Sequence, residues 1–123
     1  MMLTQFLLVA SGGAIGAMLR YSISTCFRQA MFPWPTLIIN ILGSFLLGII
    51  MAWSLRTDSH LSDNAKLFFA TGLCGGFTTF SAFSYENLQL IQQGKITLAF
   101  AYIALSVVLG LTSVFAGFKF LSQ

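Results

Sequence analysis

Charged residues divide the chain into long apolar runs. Four runs contain no Asp, Glu, Lys or Arg: residues 1–19, 29–55, 67–85 and 96–118. A helix needs about 20 mostly apolar residues to cross the hydrocarbon core of a bilayer. The pattern therefore predicts an all-α integral membrane protein with one membrane domain and four transmembrane helices. The predicted spans are about 3–26, 35–55, 65–90 and 96–120.

The connections between the spans contain residues that favour turns. Pro33 and Pro35 suit the start of a helix rather than its interior. A polar run, Arg56–Lys66, separates the second and third spans, and Gly94 marks the last turn. A cleavable signal peptide is the alternative interpretation of residues 1–19. We disfavour it because the first four residues lack the Lys or Arg that such a peptide carries.

The composition excludes the soluble classes of protein. Hydrophobic residues make up 57% of the 123 positions and charged residues only 7%, whereas a soluble domain carries about 25% charged residues. So few charges cannot supply a polar shell, which excludes an ordinary cytosolic enzyme and a disordered chain. The net charge of +3 is spread along the whole chain and makes no basic patch for nucleic acid. We therefore expect the protein to be embedded in a lipid bilayer. We expect no enzymatic activity.

The positive charges give no preferred orientation in the membrane. Four spans place both termini on one side. Each side then receives three Lys or Arg residues: Arg56, Lys66 and Lys119 on one, Arg20, Arg28 and Lys95 on the other. The positive-inside rule therefore favours neither orientation. Either this count hides a weak bias, or both orientations insert and pair as an antiparallel dimer.

Cysteine and histidine do not indicate a metal centre. Cys26 and Cys74 lie at different predicted depths, which disfavours a disulfide within one chain. His60 stands apart from both, and the sequence contains no Cys-x-x-Cys pair. We therefore expect neither zinc nor an iron–sulfur cluster.

Small residues recur at four-residue steps in all four spans. The pairs are Gly12/Gly16, Gly72/Gly76, Ser44/Gly48, Ser106/Gly110 and Ser113/Gly117. This spacing lets membrane helices approach closely. We expect these pairs to serve helix packing.

The third span is unusually rich in glycine. Gly72, Gly75 and Gly76 are followed by Thr78 and Thr79. Glycine costs about 1 kcal/mol relative to alanine in a helix interior, so the run favours a break in mid-membrane. Lipid cannot satisfy the freed carbonyls, which would line a cavity, bind an ion or meet another helix. Carbonyl oxygens suit hard cations, and the absence of a carboxylate at this depth favours Na⁺ over Ca²⁺. The alternative is an unbroken packing face.

Aromatic and polar residues near this run are suited to the passage of a small anion. Phe80 and Phe83 share a helical face, and the edges of aromatic rings are positive. Asn40 lies in the second span, where its amide NH₂ can donate a hydrogen bond to an anion. Its alternative role is to hold two helices together. Tyr102 and Ser106, four residues apart in the fourth span, would continue a polar line.

Two charges lie close to the apolar runs. Arg20 either draws anions toward a vestibule or extends to the lipid headgroups. Glu86 either joins Tyr102 or Asn40 in a polar track or ends the buried stretch.

Three segments resemble the bacterial fluoride channels of the CrcB or Fluc family. The strongest is residues 75–84, GGFTTFSAFS, which is similar to the family signature GGxTTFSTF. Residues 12–21 resemble the family's opening motif GGxxGAxxRY, and Asn40 occupies the matching position of the second span. The resemblance covers essentially the whole chain.

The resemblance implies a passive, fluoride-selective channel that exports fluoride and lowers its cytoplasmic concentration. It implies a dual-topology, antiparallel homodimer in the bacterial inner membrane, with two pores along the dimer interface. A structural Na⁺ at the dimer interface would be held by the backbone carbonyls of Gly75 and Thr78, and Arg20 would lie near a pore mouth. The implied fluoride path contains Asn40, Phe80, Phe83, Ser81, Thr79, Ser84, Tyr102, Ser106 and Glu86.

The sequence departs from the family pattern at three positions. Ala82 stands where the family commonly has Thr, and Phe77 stands where a smaller aliphatic residue is usual. Gly110 occupies a position at which the polar track often has another hydroxyl. These departures affect the details of the implied track.

Two other functions stay open at this point. A small multidrug exporter has the same size and number of spans, but it uses a carboxylate in its first span, and residues 1–19 contain none. A non-transporting assembly subunit would use the polar residues of the spans only for packing.

Overall fold

The computed structural model describes residues 2–27, 31–56 and 61–122, and every regular element among them is helical. The elements are α1 (Met2–Cys26), α2 (Trp34–Ser54), α3 (Asp63–Lys66), a π-helix (Leu67–Cys74), α4 (Gly75–Phe77), α5 (Phe80–Gln92) and α6 (Ile96–Ser122). Four segments are long and apolar enough to cross a membrane: α1, α2, Asp63–Gln92 and α6. This confirms the predicted all-α chain with four candidate spans. Arg28 and His60, which contributed to two sequence predictions, lie outside the described residues.

The ends of the helices follow from local chemistry. α2 begins at Trp34 with Pro35 in its first turn, where a backbone N–H is not needed. Ser62 caps α3 by accepting a hydrogen bond from the backbone N–H of Ala65 at 3.1 Å. Between α5 and α6, Gly94 has a φ of 77°, in the left-handed region that favours glycine. The predicted turn at Gly94 is therefore a tight one.

α1 packs against the segment Asp63–Gln92 through glycines on both sides. A methyl group at Gly12 would overlap the carbonyl oxygen of Phe68, and one at Gly76 would overlap the carbonyl oxygen of Gly13. A methyl group at Gly16 would also overlap the backbone of this segment. The two predicted GxxxG pairs therefore face each other and bring two backbones into contact. We call this contact, formed by Gly12, Gly13, Gly16, Gly72 and Gly76, the glycine seam.

α2 and α6 approach each other by the same means. Gly48 of α2 lies against the backbone of Val114, and Gly117 of α6 lies against the backbone of Phe45. Gly110 differs, because a methyl group there would meet no atom of the described chain within 4 Å. In one chain, Gly110 therefore borders open space instead of making a helix contact.

α2 is the central helix of the bundle. In its most apolar stretch 39% of the residues are buried, against 11% in each of the other three candidate spans. A buried cluster joins α2 to α5 and α6: Leu37, Leu90, Ala99 and Tyr102. The outer faces of α1 and α6 expose large apolar side chains, such as Phe6 and Phe115. Such surfaces suit lipid or another subunit rather than water.

Candidate functional site

Two residues with extended backbone lie between α4 and α5. Thr78 has φ −84° and ψ 157°, and Thr79 has φ −151° and ψ 119°. The helical hydrogen bonding of α4 ends with Thr78 N, which donates to the carbonyl oxygen of Cys74 at 2.9 Å. α5 then begins with the hydroxyl of Thr79 as its cap, accepting from Ala82 N at 3.1 Å. The chain is thus helical on both sides of a short extended step.

Asn40 of α2 holds this extended step in place. Its Oδ1 accepts a hydrogen bond from Thr79 N at 2.9 Å, and its Nδ2 donates to the carbonyl oxygen of Thr79 at 3.1 Å. The amide therefore satisfies both backbone groups of one residue, as a neighbouring strand would. An Asn inside an apolar span requires such a partner, because an unpaired amide there is costly.

Two carbonyl groups lose their usual helical donors at this step. In an α-helix each N–H donates to the carbonyl four residues earlier. The N–H that would reach the Gly75 carbonyl belongs to Thr79 and donates to Asn40 instead. The N–H that would reach the Thr78 carbonyl belongs to Ala82 and donates to the Thr79 hydroxyl. The Asn40 amide and the Thr79 hydroxyl thus bind the two N–H groups that would otherwise donate to the carbonyls of Gly75 and Thr78. These are the two carbonyls that the sequence resemblance assigns to Na⁺.

The character of these oxygens fits a sodium ion. Carbonyl oxygens are hard ligands of the kind that hard cations prefer. Two carbonyls from one chain are too few to surround such an ion, since hard cations take about six or more oxygen ligands. Further oxygens would therefore have to come from a second copy of the chain or from water.

A cavity of about 380 Å³ opens beside the extended step. It brings together many of the residues singled out from the sequence: Asn40, Gly75, Thr78, Thr79, Phe80, Phe83 and Ser106. Gly110, one of the departures from the family pattern, also lines the cavity. Residues from the second, third and fourth candidate spans therefore meet at one place.

The aromatic rings at this cavity form a connected row. The ring centroids of Phe80 and Phe83 are 5.6 Å apart, and those of Phe83 and Tyr102 are 5.0 Å apart. The side chain of Phe80 is 77% exposed in the single chain, whereas Tyr102 is completely buried. The row thus runs from the surface of the chain into its core.

Glu86 lies at the inner end of this row. Its Oε1 accepts a hydrogen bond from the hydroxyl of Tyr102 at 2.7 Å, and its Oε2 accepts one from Thr36 Oγ1 at 2.8 Å. Of the two partners expected from the sequence, Glu86 therefore bonds Tyr102, whereas Asn40 bonds Thr79. Both carboxylate oxygens of Glu86 accept hydrogen bonds from hydroxyl groups. These bonds compensate for the water contacts that the carboxylate loses on partial burial.

Five of the predicted site residues do not line the cavity: Tyr102 and Glu86 at the inner end of the aromatic row, and Ser81, Ser84 and Arg20. Ser81 is exposed, and its hydroxyl is 3.2 Å from the hydroxyl of Thr79. Ser84 is exposed one turn further along α5. Arg20 donates from Nε to the carbonyl oxygen of Gly76 at 3.1 Å. The guanidinium of Arg20 thus reaches across the glycine seam to the backbone just before the extended step.

The sequence reasoning missed two polar residues of this region. Thr36 lies one helical turn before Asn40, and Asn87 lies one turn after Phe83, so helical spacing would have placed both on the same faces. Asn87 is buried and donates from Nδ2 to the carbonyl oxygen of Phe83 at 2.9 Å. Within the described residues, Asn87 Oδ1 and Ser106 Oγ are buried without a hydrogen-bond partner.

Comparison with known proteins gives a consistent result. The model of the family described as CrcB-like protein, Camphor Resistance (CrcB), matches residues 7–118. A protein of Thermus thermophilus named "Fluoride-specific ion channel FluC" is 46% identical over 118 residues, which cover 94% of this chain and 93% of the relative. Proteins with the same name from Azobacteroides pseudotrichonymphae and Leptospira interrogans are 42% and 46% identical over 120 and 116 residues. These matches cover 95% and 92% of this chain, and 95% and 91% of the relatives. The chain belongs to the CrcB family.

Proposed function

We propose that this chain is a passive, fluoride-selective ion channel that exports fluoride and lowers its concentration in the cytoplasm. The observation that carries the proposal is the 46% identity over 118 residues to a protein named as a fluoride-specific channel. The cavity supports it, because predicted site residues from three separate spans line one space. Its function is transport through the membrane and not catalysis.

The channel operates as an antiparallel homodimer of dual topology in the bacterial inner membrane. The balanced count of positive charges on the two sides supports insertion in both orientations. The exposed ring of Phe80 supports a second copy, because a pore lined by this ring needs another wall. The extended step, in this proposal, breaks the third span in mid-membrane.

A structural Na⁺ would be held at the dimer interface by backbone carbonyls of the extended step. The carbonyls of Gly75 and Thr78 supply its protein ligands, since their helical donors are diverted to Asn40 and Thr79. When bound, the ion adds a fixed positive charge to a region through which an anion passes. Asn40 has the supporting role of keeping the Thr79 N–H away from the Gly75 carbonyl.

Ring edges and hydroxyl groups stabilise fluoride in the pore. The edges of Phe80 and Phe83 present positive charge, and their centroid separation of 5.6 Å keeps both rings beside the same space. Ser106 is the hydroxyl best placed to donate to the anion, because it lines the cavity and its Oγ has no partner in the described chain. The hydroxyl of Tyr102 already donates to Glu86 and contributes by holding the end of the aromatic row.

Fluoride efflux from liposomes tests the function. Purified protein is placed in vesicles loaded with potassium fluoride, valinomycin is added to carry K⁺, and a fluoride electrode follows release. We expect rapid efflux of fluoride without chloride, and its loss in Phe80→Ile. Phe6→Ile is the matched control, because Phe6 is exposed on α1 and does not line the cavity. No efflux from a folded wild-type dimer would reject the channel and favour an assembly subunit.

The sodium site has a separate test. A ligand that binds only the folded state raises stability by mass action. The thermal midpoint of the purified dimer should therefore be higher in Na⁺ than in N-methylglucamine at equal ionic strength. Asn40→Leu should weaken this difference, because the extended step that exposes the Gly75 carbonyl then loses both hydrogen bonds that hold it. Equal midpoints in the two cations would reject the sodium site.

A further inference from the structure

A second cavity, of about 360 Å³, lies beside the turn between α5 and α6. Polar residues of α5 and of the turn form one wall: Glu86, Gln89, Gln93 and Lys95. Phe32 and Pro33, which precede α2, form part of another wall. Its lining residues are different from those of the cavity beside Asn40.

The backbone at the end of α5 fixes the position of Lys95. Gly94 N donates to the carbonyl oxygen of Ile91 at 3.0 Å, and Lys95 N donates to that of Leu90 at 2.8 Å. These two bonds, with the left-handed Gly94 between them, form a compact helix ending. Lys95 therefore stands at the junction of two candidate spans, where the chain leaves the apolar layer.

Glu86 stands deeper in the same cavity. It lies six residues before the end of α5 at Gln92, which corresponds to about 9 Å along the helix axis. Its two oxygens accept hydrogen bonds from Thr36 and Tyr102. The cavity thus runs from a cation at its outer end to a carboxylate whose oxygens are already engaged.

Within the part of the chain that the structure describes, no carboxylate pairs with Lys95. Although Lys95 and Glu86 line the same cavity, Lys95 forms no ion pair within residues 2–27, 31–56 and 61–122. Gln89 and Gln93 add side-chain amides, which can donate hydrogen bonds to an anion or to its water shell. The outer part of the cavity therefore offers a positive charge and donor groups.

The inner end of this cavity adjoins the proposed pore. The hydroxyl of Tyr102 bonds Glu86 at 2.7 Å, and its ring lies 5.0 Å from that of Phe83, which lines the first cavity. Phe83, Tyr102 and Glu86 therefore form a continuous chain of side-chain contacts from one cavity to the other.

From this geometry we infer that the second cavity is an anion capture site in which Lys95 raises the local concentration of fluoride. The inference rests on the proposed channel function. A unit charge near a narrow, low-dielectric mouth attracts counter-ions and increases their arrival rate. Dissolved salt screens this attraction, with a Debye length of about 30 Å at 0.01 M and about 3 Å at 1 M. The effect of Lys95 must therefore depend on ionic strength.

Initial fluoride efflux at low fluoride concentration tests the capture site. Wild type, Lys95→Gln, Lys95→Glu and Lys95→Arg are compared at about 0.01 M and about 1 M ionic strength on both sides of the vesicle. Lys119→Gln is the matched control: it also removes one charge, but its ammonium lies 5.8 Å from the centroid of the Phe115 ring, and Lys119 does not line the cavity. Gel filtration confirms that each variant is a folded dimer.

At low ionic strength we expect the rate to fall about 2- to 5-fold in Lys95→Gln and about 10-fold in Lys95→Glu. Lys95→Arg and Lys119→Gln should behave as wild type, and at high ionic strength the differences should disappear. Equal rates for wild type and Lys95→Gln at low ionic strength would overturn the inference. An equal loss at both ionic strengths would also overturn it, because that result indicates a structural role. Absence of efflux from wild type would instead reject the channel itself.

Discussion

The two sides of the segment Asp63–Gln92 are held by different chemistry. On one side α1 meets it through the glycine seam, where backbone lies directly against backbone. On the other side α2 and α6 meet it with polar residues. We call the polar residues of this contact the polar seam: Thr36 and Asn40 of α2, Thr79 and Glu86 of the segment, and Tyr102 and Ser106 of α6.

The glycine seam and the polar seam differ in what their residues contribute to the protein. Small residues alone allow membrane helices to pack closely, as the glycine seam demonstrates. Polar groups within an apolar layer are costly and are not needed for such packing. We therefore propose that the polar seam has a further role in ion passage, which the cavity beside it supports. Changes in the glycine seam should act on stability first, whereas changes in the polar seam should act on both stability and transport.

The largest effect on stability is expected at Gly16. Gly16→Ala places a methyl group 2.7 Å from the backbone nitrogen of Phe77, and neither backbone can move without opening the seam. We expect the free energy of unfolding in detergent to fall by about 3 kcal/mol. Gly110→Ala is the control, because its methyl group meets nothing within 4 Å in the chain. Equal effects of the two substitutions would contradict the description of the seam.

Asn40→Leu should have the next largest effect. It removes both hydrogen bonds to Thr79 and leaves the N–H and the carbonyl of that residue without partners. We expect a loss of about 2 kcal/mol in the free energy of unfolding, together with loss of fluoride efflux. Asn64→Leu, on the exposed surface of α3, should leave both quantities unchanged. Normal efflux in Asn40→Leu would show that Asn40 only joins helices.

Tyr102→Phe should act more weakly on stability. It leaves Oε1 of Glu86 without its hydroxyl donor while the ring contact with Phe83 is retained. A hydrogen bond to a charged group contributes about 1.5 kcal/mol or more. Chemical unfolding of Tyr102→Phe, Glu86→Leu and the double variant forms a cycle, because each single substitution removes one partner of the hydrogen bond. Additive effects of the two substitutions would contradict a direct bond between the residues.

The smallest effect on stability is expected at Ser106. Because Ser106 Oγ is buried without a partner in the described chain, Ser106→Ala should change the free energy of unfolding by less than about 0.5 kcal/mol. Fluoride efflux should nevertheless fall, because the variant removes a hydroxyl donor from the cavity. Thermal unfolding and efflux are measured on the same preparation. Unchanged efflux would remove Ser106 from the proposed pore.

The helices and their glycine contacts were predictable from local pattern. The uncharged runs predicted the four helices because a bilayer demands long apolar segments. The four-residue glycine spacing predicted a role in helix packing, but not which helices meet. The need of Asn40 for a partner was also predictable, since a buried amide must be hydrogen-bonded.

The identity of the partners was not predictable in the same way. Asn40 bonds a backbone 39 residues away, and Thr36 bonds a carboxylate 50 residues away. Such pairings depend on how the helices pack, which one sequence does not encode locally. The buried Asn87 and the second cavity were missed for the same reason.

The reversal potential of single channels in a planar bilayer measures which anion crosses the protein. Fluoride is held equal on the two sides while a steep chloride gradient is applied. We expect a current that reverses at zero voltage, because only fluoride crosses the polar seam. A reversal potential displaced toward the chloride equilibrium, or no current from a folded dimer, would contradict a fluoride-selective channel.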